Sequence, residues 1–131
     1  MAKHFTREEA EALLPQITPL LLDLQQRHGA LLPLRQDLET LRQRMRGNGH
    51  GLHERLEQLN RQYATLLEEV NRLIRRIYAF GCQLKDPAMG LIDFPTLRDG
   101  REILLCWRLG EEGIHWWHET TTGFQGRQPL D

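Results

Sequence analysis

Two runs of apolar residues, each keeping alternate spacings of three and four, dominate the first two thirds of the chain. In the first run, Ile17, Leu20, Leu24, Leu31, Leu34, Leu38, Leu41 and Met45 mark one helix face, with Arg27 in the one missing slot. In the second, Leu52, Leu56, Leu59, Tyr63, Leu66, Val70, Leu73, Ile77 and Phe80 hold the rhythm without a gap. A stripe this narrow faces another helix, as in coiled-coil packing. Between the runs lies Gly47-Asn48-Gly49-His50-Gly51, which cannot continue a helix. Two helices of similar length joined by a glycine-rich turn at 46–51 predict an antiparallel hairpin over 6–80. Each arm should be about 40 Å long.

The hairpin has a legible beginning. Thr6 followed by Glu9 is a capping box, in which hydroxyl and carboxylate satisfy each other's backbone N–H groups. Phe5, just before the cap, is placed to staple against Ala10. Pro15 lacks the N–H for a helical bond and disfavours the α conformation at Leu14. The expectation is a short helix followed by a longer one starting near Pro15. Pro33 and Gly29 predict a bend or weakening in the first arm. Extra apolar residues, Leu13, Leu14, Leu21, Leu22, Leu67 and Ile74, all lie away from the glycine tip. A wider apolar face there predicts that the C-terminal part packs on the base of the hairpin.

From Gly81 onward the pattern turns to β. Leu91-Ile92-Asp93-Phe94 reads as a short strand closed by Pro95, Arg101 to Leu109 as a stronger one, and Ile114 to Glu119 as a third after the Gly110–Gly113 turn. The tail from Gly123 reads as irregular. Three short strands need helices beneath them. The expectation is therefore one α+β domain over 1–131, with a long antiparallel, coiled-coil-like hairpin and a small antiparallel β-sheet over 81–131 packed on its base.

Composition narrows the function. Lys plus Arg is 17 against 18 for Asp plus Glu, a net charge of −1, whereas general nucleic-acid binders carry a basic excess. Arg42, Arg44, Arg46, Arg55 and Arg61 near the tip are interleaved with acidic residues and read as surface pairing. No apolar run is long enough to span a bilayer. Cys82 and Cys106 are too few for a disulfide framework. These features predict a cytoplasmic protein with reduced thiols, bound neither to membrane nor to nucleic acid.

The C-terminal run Gly90-Leu91-Ile92-Asp93-Phe94-Pro95, then Leu105-Cys106-Trp107 with Gly110-Glu111, Trp117-His118-Glu119, and Gly123-Phe124 with Gly126-Arg127 resembles a bacterial family of unknown function, numbered 2203. The opening Phe5-Thr6 with Glu9-Ala10 and Leu13-Leu14-Pro15 resembles that family's N-terminal pattern. The resemblance spans nearly the whole chain and implies no established activity.

Candidate chemistry gathers in the β part: Cys106, Glu111, Glu112, His115, His118 and Glu119, with Asp93 on the neighbouring strand. Thiolate, imidazole and carboxylate hold zinc or iron when three or four converge, and Cys106, His118, Glu119 and Asp93 are the candidate metal ligands. Strand register decides whether they meet. An even-numbered turn puts Cys106 opposite Trp117 and on the other face from His118, whereas a three-residue loop puts Cys106 directly opposite His118. The competing role is structural: Trp107, Trp116 and Trp117 supply core bulk, and His118 satisfies a buried carbonyl or pairs with Asp93 or Glu119. His50 and His53 could share an ion at the tip. No serine, GxxxxGK or GxGxxG occurs, which excludes a serine triad and the usual phosphate loops. The leading expectation is a non-enzymatic interaction or scaffold module that self-associates, as a dimer, through its hairpin. The alternative is a zinc- or iron-binding protein centred on Cys106 and His118.

Overall fold

The computed structural model describes residues 3–47 and 51–130. Two helices, α1 (Arg7–Gly47) and α2 (His53–Tyr78), precede five strands: β1 (Gln83–Asp86), β2 (Leu91–Arg98), β3 (Arg101–Arg108), β4 (Trp116–His118) and β5 (Gln128–Pro129). The strands form one antiparallel sheet in the order β1-β2-β3-β4-β5, each beside its neighbour in sequence. The α+β hairpin-plus-sheet expectation holds. Most of the tip turn, 48–50 and with it His50, lies outside the described residues. Among the described residues no helix is long and apolar enough to cross a membrane.

The capping box forms as read: Thr6 Oγ1 accepts from the Glu9 N–H at 3.0 Å, and Glu9 Oε1 accepts from the Thr6 N–H at 2.8 Å. These bonds hold the Glu9 carboxyl below its ordinary range. Phe5 and Ala10 are both buried, so the staple is in place. The expected break at Pro15 does not occur. α1 runs 41 residues through Pro15, Pro19 and Pro33. All three prolines face solvent, where water can satisfy the carbonyls they leave unpaired.

The arms are consequently unequal, with α1 about 60 Å long and α2 about 40 Å. They pack antiparallel: Arg27 ion-pairs with Glu69, and further toward the tip Arg42 donates to Asn60 at 3.3 Å. The seam buries two separate clusters. Leu38, Leu41 and Leu59 form the distal one. The basal one joins Ile17, Leu20, Leu21 and Leu24 of α1 and Val70, Leu73 and Ile77 of α2 to Ile92, Phe94, Ile103, Leu105, Trp107 and Trp117 of the sheet. Arg27, bonded to Asp23 at 2.6 Å as well as paired with Glu69, fills the break in the heptad rhythm with charge. The N-terminal turns of α1 outreach α2 and lie against the sheet, where Glu11 Oε2 accepts from the Ile114 N–H at 2.8 Å. Leu22 and Leu67 were expected at the covered base, but both face solvent.

Pro95 does not close β2. Its carbonyl accepts from the Phe5 N–H at 2.8 Å, and the missing N–H falls on that same side, beyond the end of β1. The ladder to β3 is therefore uninterrupted, from Leu91↔Arg108 to Arg98↔Arg101. Asp99 (φ 52°) and Gly100 (φ 77°) then make the two-residue turn with two left-handed positions that suits a twisted hairpin. The third strand is shorter than expected, and the tail contributes β5, paired with β4 at Trp116↔Pro129 and Trp117↔Gln128.

Candidate functional site

Side chains alternate across a strand, so register sorts the sheet residues into two faces. Ile92, Phe94, Ile103, Leu105, Trp107 and Trp117 join the helical core. Asp93 pairs with Cys106, and Leu104 with His118. Asp93, Cys106 and His118 therefore share the other face, and all three are buried. The register matches neither expected alternative. Cys106 stands opposite Trp116, two residues from a direct pairing with His118, which puts it on the same face and diagonally across.

The ligand atoms of Asp93, Cys106 and His118 lie within 4.8 Å of one another. His118 donates from Nδ1 to the Glu119 carbonyl at 2.6 Å, and its Nε2 lies 3.0 Å from Asp93 Oδ2. Asp93 Oδ1 is buried without a hydrogen-bond partner among the described residues. Burial pushes the Asp93 carboxyl up, and the facing His118 opposes this. The Cys106 S–H, a weak donor facing the carboxyl, also pulls it down, although its approach falls short of a hydrogen bond on Oδ1. Burial pushes the Cys106 thiol itself up to about 12, with the Asp93 charge adding to the effect and Arg127 opposing it. Such a thiol is protonated and inert at neutral pH. Both His118 nitrogens are engaged, so neither serves as a base toward Cys106, and the geometry is not that of a nucleophilic dyad.

The remaining candidates go elsewhere. The Glu119 side chain ion-pairs with Arg101, which holds its carboxyl below the ordinary range; only its backbone carbonyl reaches the cluster. His115 Nδ1 accepts from Arg7 at 2.8 Å, and Glu112 is exposed. Glu111 accepts from Arg127 at 2.7 Å.

Arg127 is the residue whose role could not be read in advance. Its guanidinium lies 4.6 Å from the Phe124 ring centroid and 5.2 Å from that of Trp116, and donates to the Cys106 carbonyl at 3.4 Å. It pins the tail beside the cluster. The signal in the sequence was the Phe124-x-x-Arg127 spacing beside Trp116, which pattern alone does not connect to Cys106.

A second feature lies outside. Every exposed position of α1 from 12 to 33 is uncharged, Pro15, Pro19, Leu22, Gln26, Ala30 and Leu32 among them, and the spacing makes one continuous strip. The charged residues of that stretch, Asp23 and Arg27, are half-buried and paired. α2, in contrast, exposes Glu54, Arg55, Glu57, Arg61, Glu68, Arg72, Arg75 and Arg76.

No curated protein and no solved structure matches the chain. The model of one family, described as an uncharacterized conserved protein (DUF2203), matches residues 3–130. That match takes in both helices, the whole sheet and the tail, including Asp93, Cys106, His118 and Arg127, and the chain belongs to this family.

Proposed function

We propose that the protein is a non-enzymatic interaction module whose copies associate hairpin against hairpin through the uncharged outer face of α1. The observation that carries this reading is the strip from 12 to 33. In a chain whose residues are 27% charged, an exposed helix face of about 33 Å without a charge is a surface kept free of desolvation cost. A partner that pairs with such a face should itself be uncharged there, and the outer face of α2 is not. The same strip on a second copy fits, and two copies of net charge −1 scarcely repel each other. Pairing about a two-fold axis lays the strips antiparallel and makes a four-helix arrangement.

Strip length times a helix width of about 10 Å gives roughly 330 Å² per copy, below the roughly 800 Å² per partner of a standard interface. The dimer is accordingly weak and concentration-dependent. Light scattering across a concentration series tests this. The expected result is a mass rising toward twice that of the chain at high micromolar concentration, and a Leu22→Glu, Leu32→Glu double variant that stays monomeric throughout. A strict monomer at every concentration, or dimerisation unchanged in the double variant, contradicts the reading.

A further inference from the structure

We propose that Asp93, Cys106 and His118 form a binding site for one divalent transition-metal ion, zinc or ferrous iron, independent of the self-association reading. The three donors come from adjacent strands, β2, β3 and β4, and converge to within 4.8 Å of one another in the protein interior. Ligands on paired strands are held by the ladder rather than by loops, which fixes their separation.

Three details favour a cation over a purely structural Asp–His pair. First, the Nδ1–H of His118 is committed to the Glu119 carbonyl at 2.6 Å. This fixes the tautomer and turns Nε2 inward, the orientation outer-shell carbonyls impose on metal-bound imidazoles. Second, Asp93 Oδ1 is fully buried with no hydrogen-bond partner among the described residues. A structural pair uses Oδ2 and leaves Oδ1 facing only the weak S–H donor of Cys106 without a full hydrogen bond, whereas a cation satisfies it. Third, the charges close. One carboxylate, one thiolate and a divalent ion sum to zero beside a neutral imidazole, and the neighbouring Arg127–Glu111 pair is neutral by itself. An electroneutral centre is the form of ionic group a protein interior tolerates.

The donor set selects the metal. Mixed sulfur, nitrogen and oxygen ligation suits zinc or ferrous iron and excludes magnesium and calcium, which take oxygen ligands. Three protein donors leave the remaining coordination for water or an exogenous ligand.

The test uses the full chain purified without a histidine tag, stripped with chelator and titrated with cobalt(II), then with zinc. The expected result is one equivalent bound at micromolar concentration, with a near-ultraviolet thiolate-to-cobalt charge-transfer band that zinc abolishes. Cys106→Ser loses the band, and Cys82→Ser, altering the other buried thiol, keeps it. His118→Ala weakens binding by more than the roughly 10–100-fold that loss of an outer-shell partner costs. X-ray absorption at the zinc edge of the unaltered protein gives an answer that does not depend on any variant folding, with one sulfur neighbour expected among nitrogen and oxygen. No stoichiometric binding, a band that survives Cys106→Ser, or a zinc shell without sulfur overturns the proposal.

Discussion

Asp93 is where burial and charge are most opposed. Its carboxyl is held above the ordinary range by burial, so the folded chain keeps this proton at pH values where the unfolded chain has lost it. The stabilisation tied to that proton is fully present below the unfolded value of about 3.9 and is lost as pH rises through the raised folded value. Metal-free protein is therefore expected to carry, from this residue, a stability term that falls as pH rises from about 4 toward the raised folded value. Urea midpoints measured across that range in the parent and in Asp93→Asn check it. The variant should lose the falling component, and identical slopes would show that Asp93 does not titrate abnormally. The chemistry at this position was readable as residue types but not as a cluster, because register decides which strand residues meet. That register is set by a β3–β4 connection pinned to Glu11 and Arg7, more than a hundred residues away in sequence.

At the scale of the element, helices were read well and strands unevenly. The seam from Leu52 to Phe80 and the Thr6–Glu9 cap needed only local periodicity and local hydrogen bonds. Pro15 misled because a proline breaks a helix only where its freed carbonyl cannot be solvated, and exposure is a property of the packed molecule. Pro95 misled similarly: its consequence depends on which edge its missing N–H faces. The Asp99-Gly100 pair is a hairpin signal present in the chain, and a strand ending at Pro95 hides it. β1, Gln83-Leu84-Lys85-Asp86, carries no β-branched or aromatic residue, and β5 contains a proline, so neither announces itself. The two faces of α1 make a sharp contrast that can be measured. Leu24 is buried and Leu22, two residues away, is 53% exposed. Leu24→Ala should destabilise the monomer by about 2–5 kcal/mol, while Leu22→Ala should stay within about 0.5 kcal/mol of the parent. Chemical denaturation at low protein concentration separates them, and comparable losses would mean that the face of α1 assigned to the core is wrong.

The molecule as a whole is a long helical hairpin whose foot is wrapped by a five-stranded sheet, with one sheet face given to the core and the other to the Asp93–Cys106–His118 cluster. Its outer surface divides into a charged face on α2 and an uncharged strip on α1, and the self-association reading depends on that division. Heptad spacing marks only the buried positions of α1, whereas the strip is made of exposed ones, none of them charged. Intermolecular distance measurement between spin labels tests it most directly, and the two native cysteines, both buried, leave an introduced surface thiol as the one to label. With Gln26→Cys, near the middle of the strip, antiparallel pairing of helices about 10 Å apart gives an intermolecular distance on the order of 20 Å. With Arg72→Cys, on the outer face of α2, the distance should be clearly longer. Absence of dipolar coupling at position 26 at high micromolar concentration, or a shorter distance at position 72 than at 26, would contradict the claim that the uncharged face of α1 joins two copies.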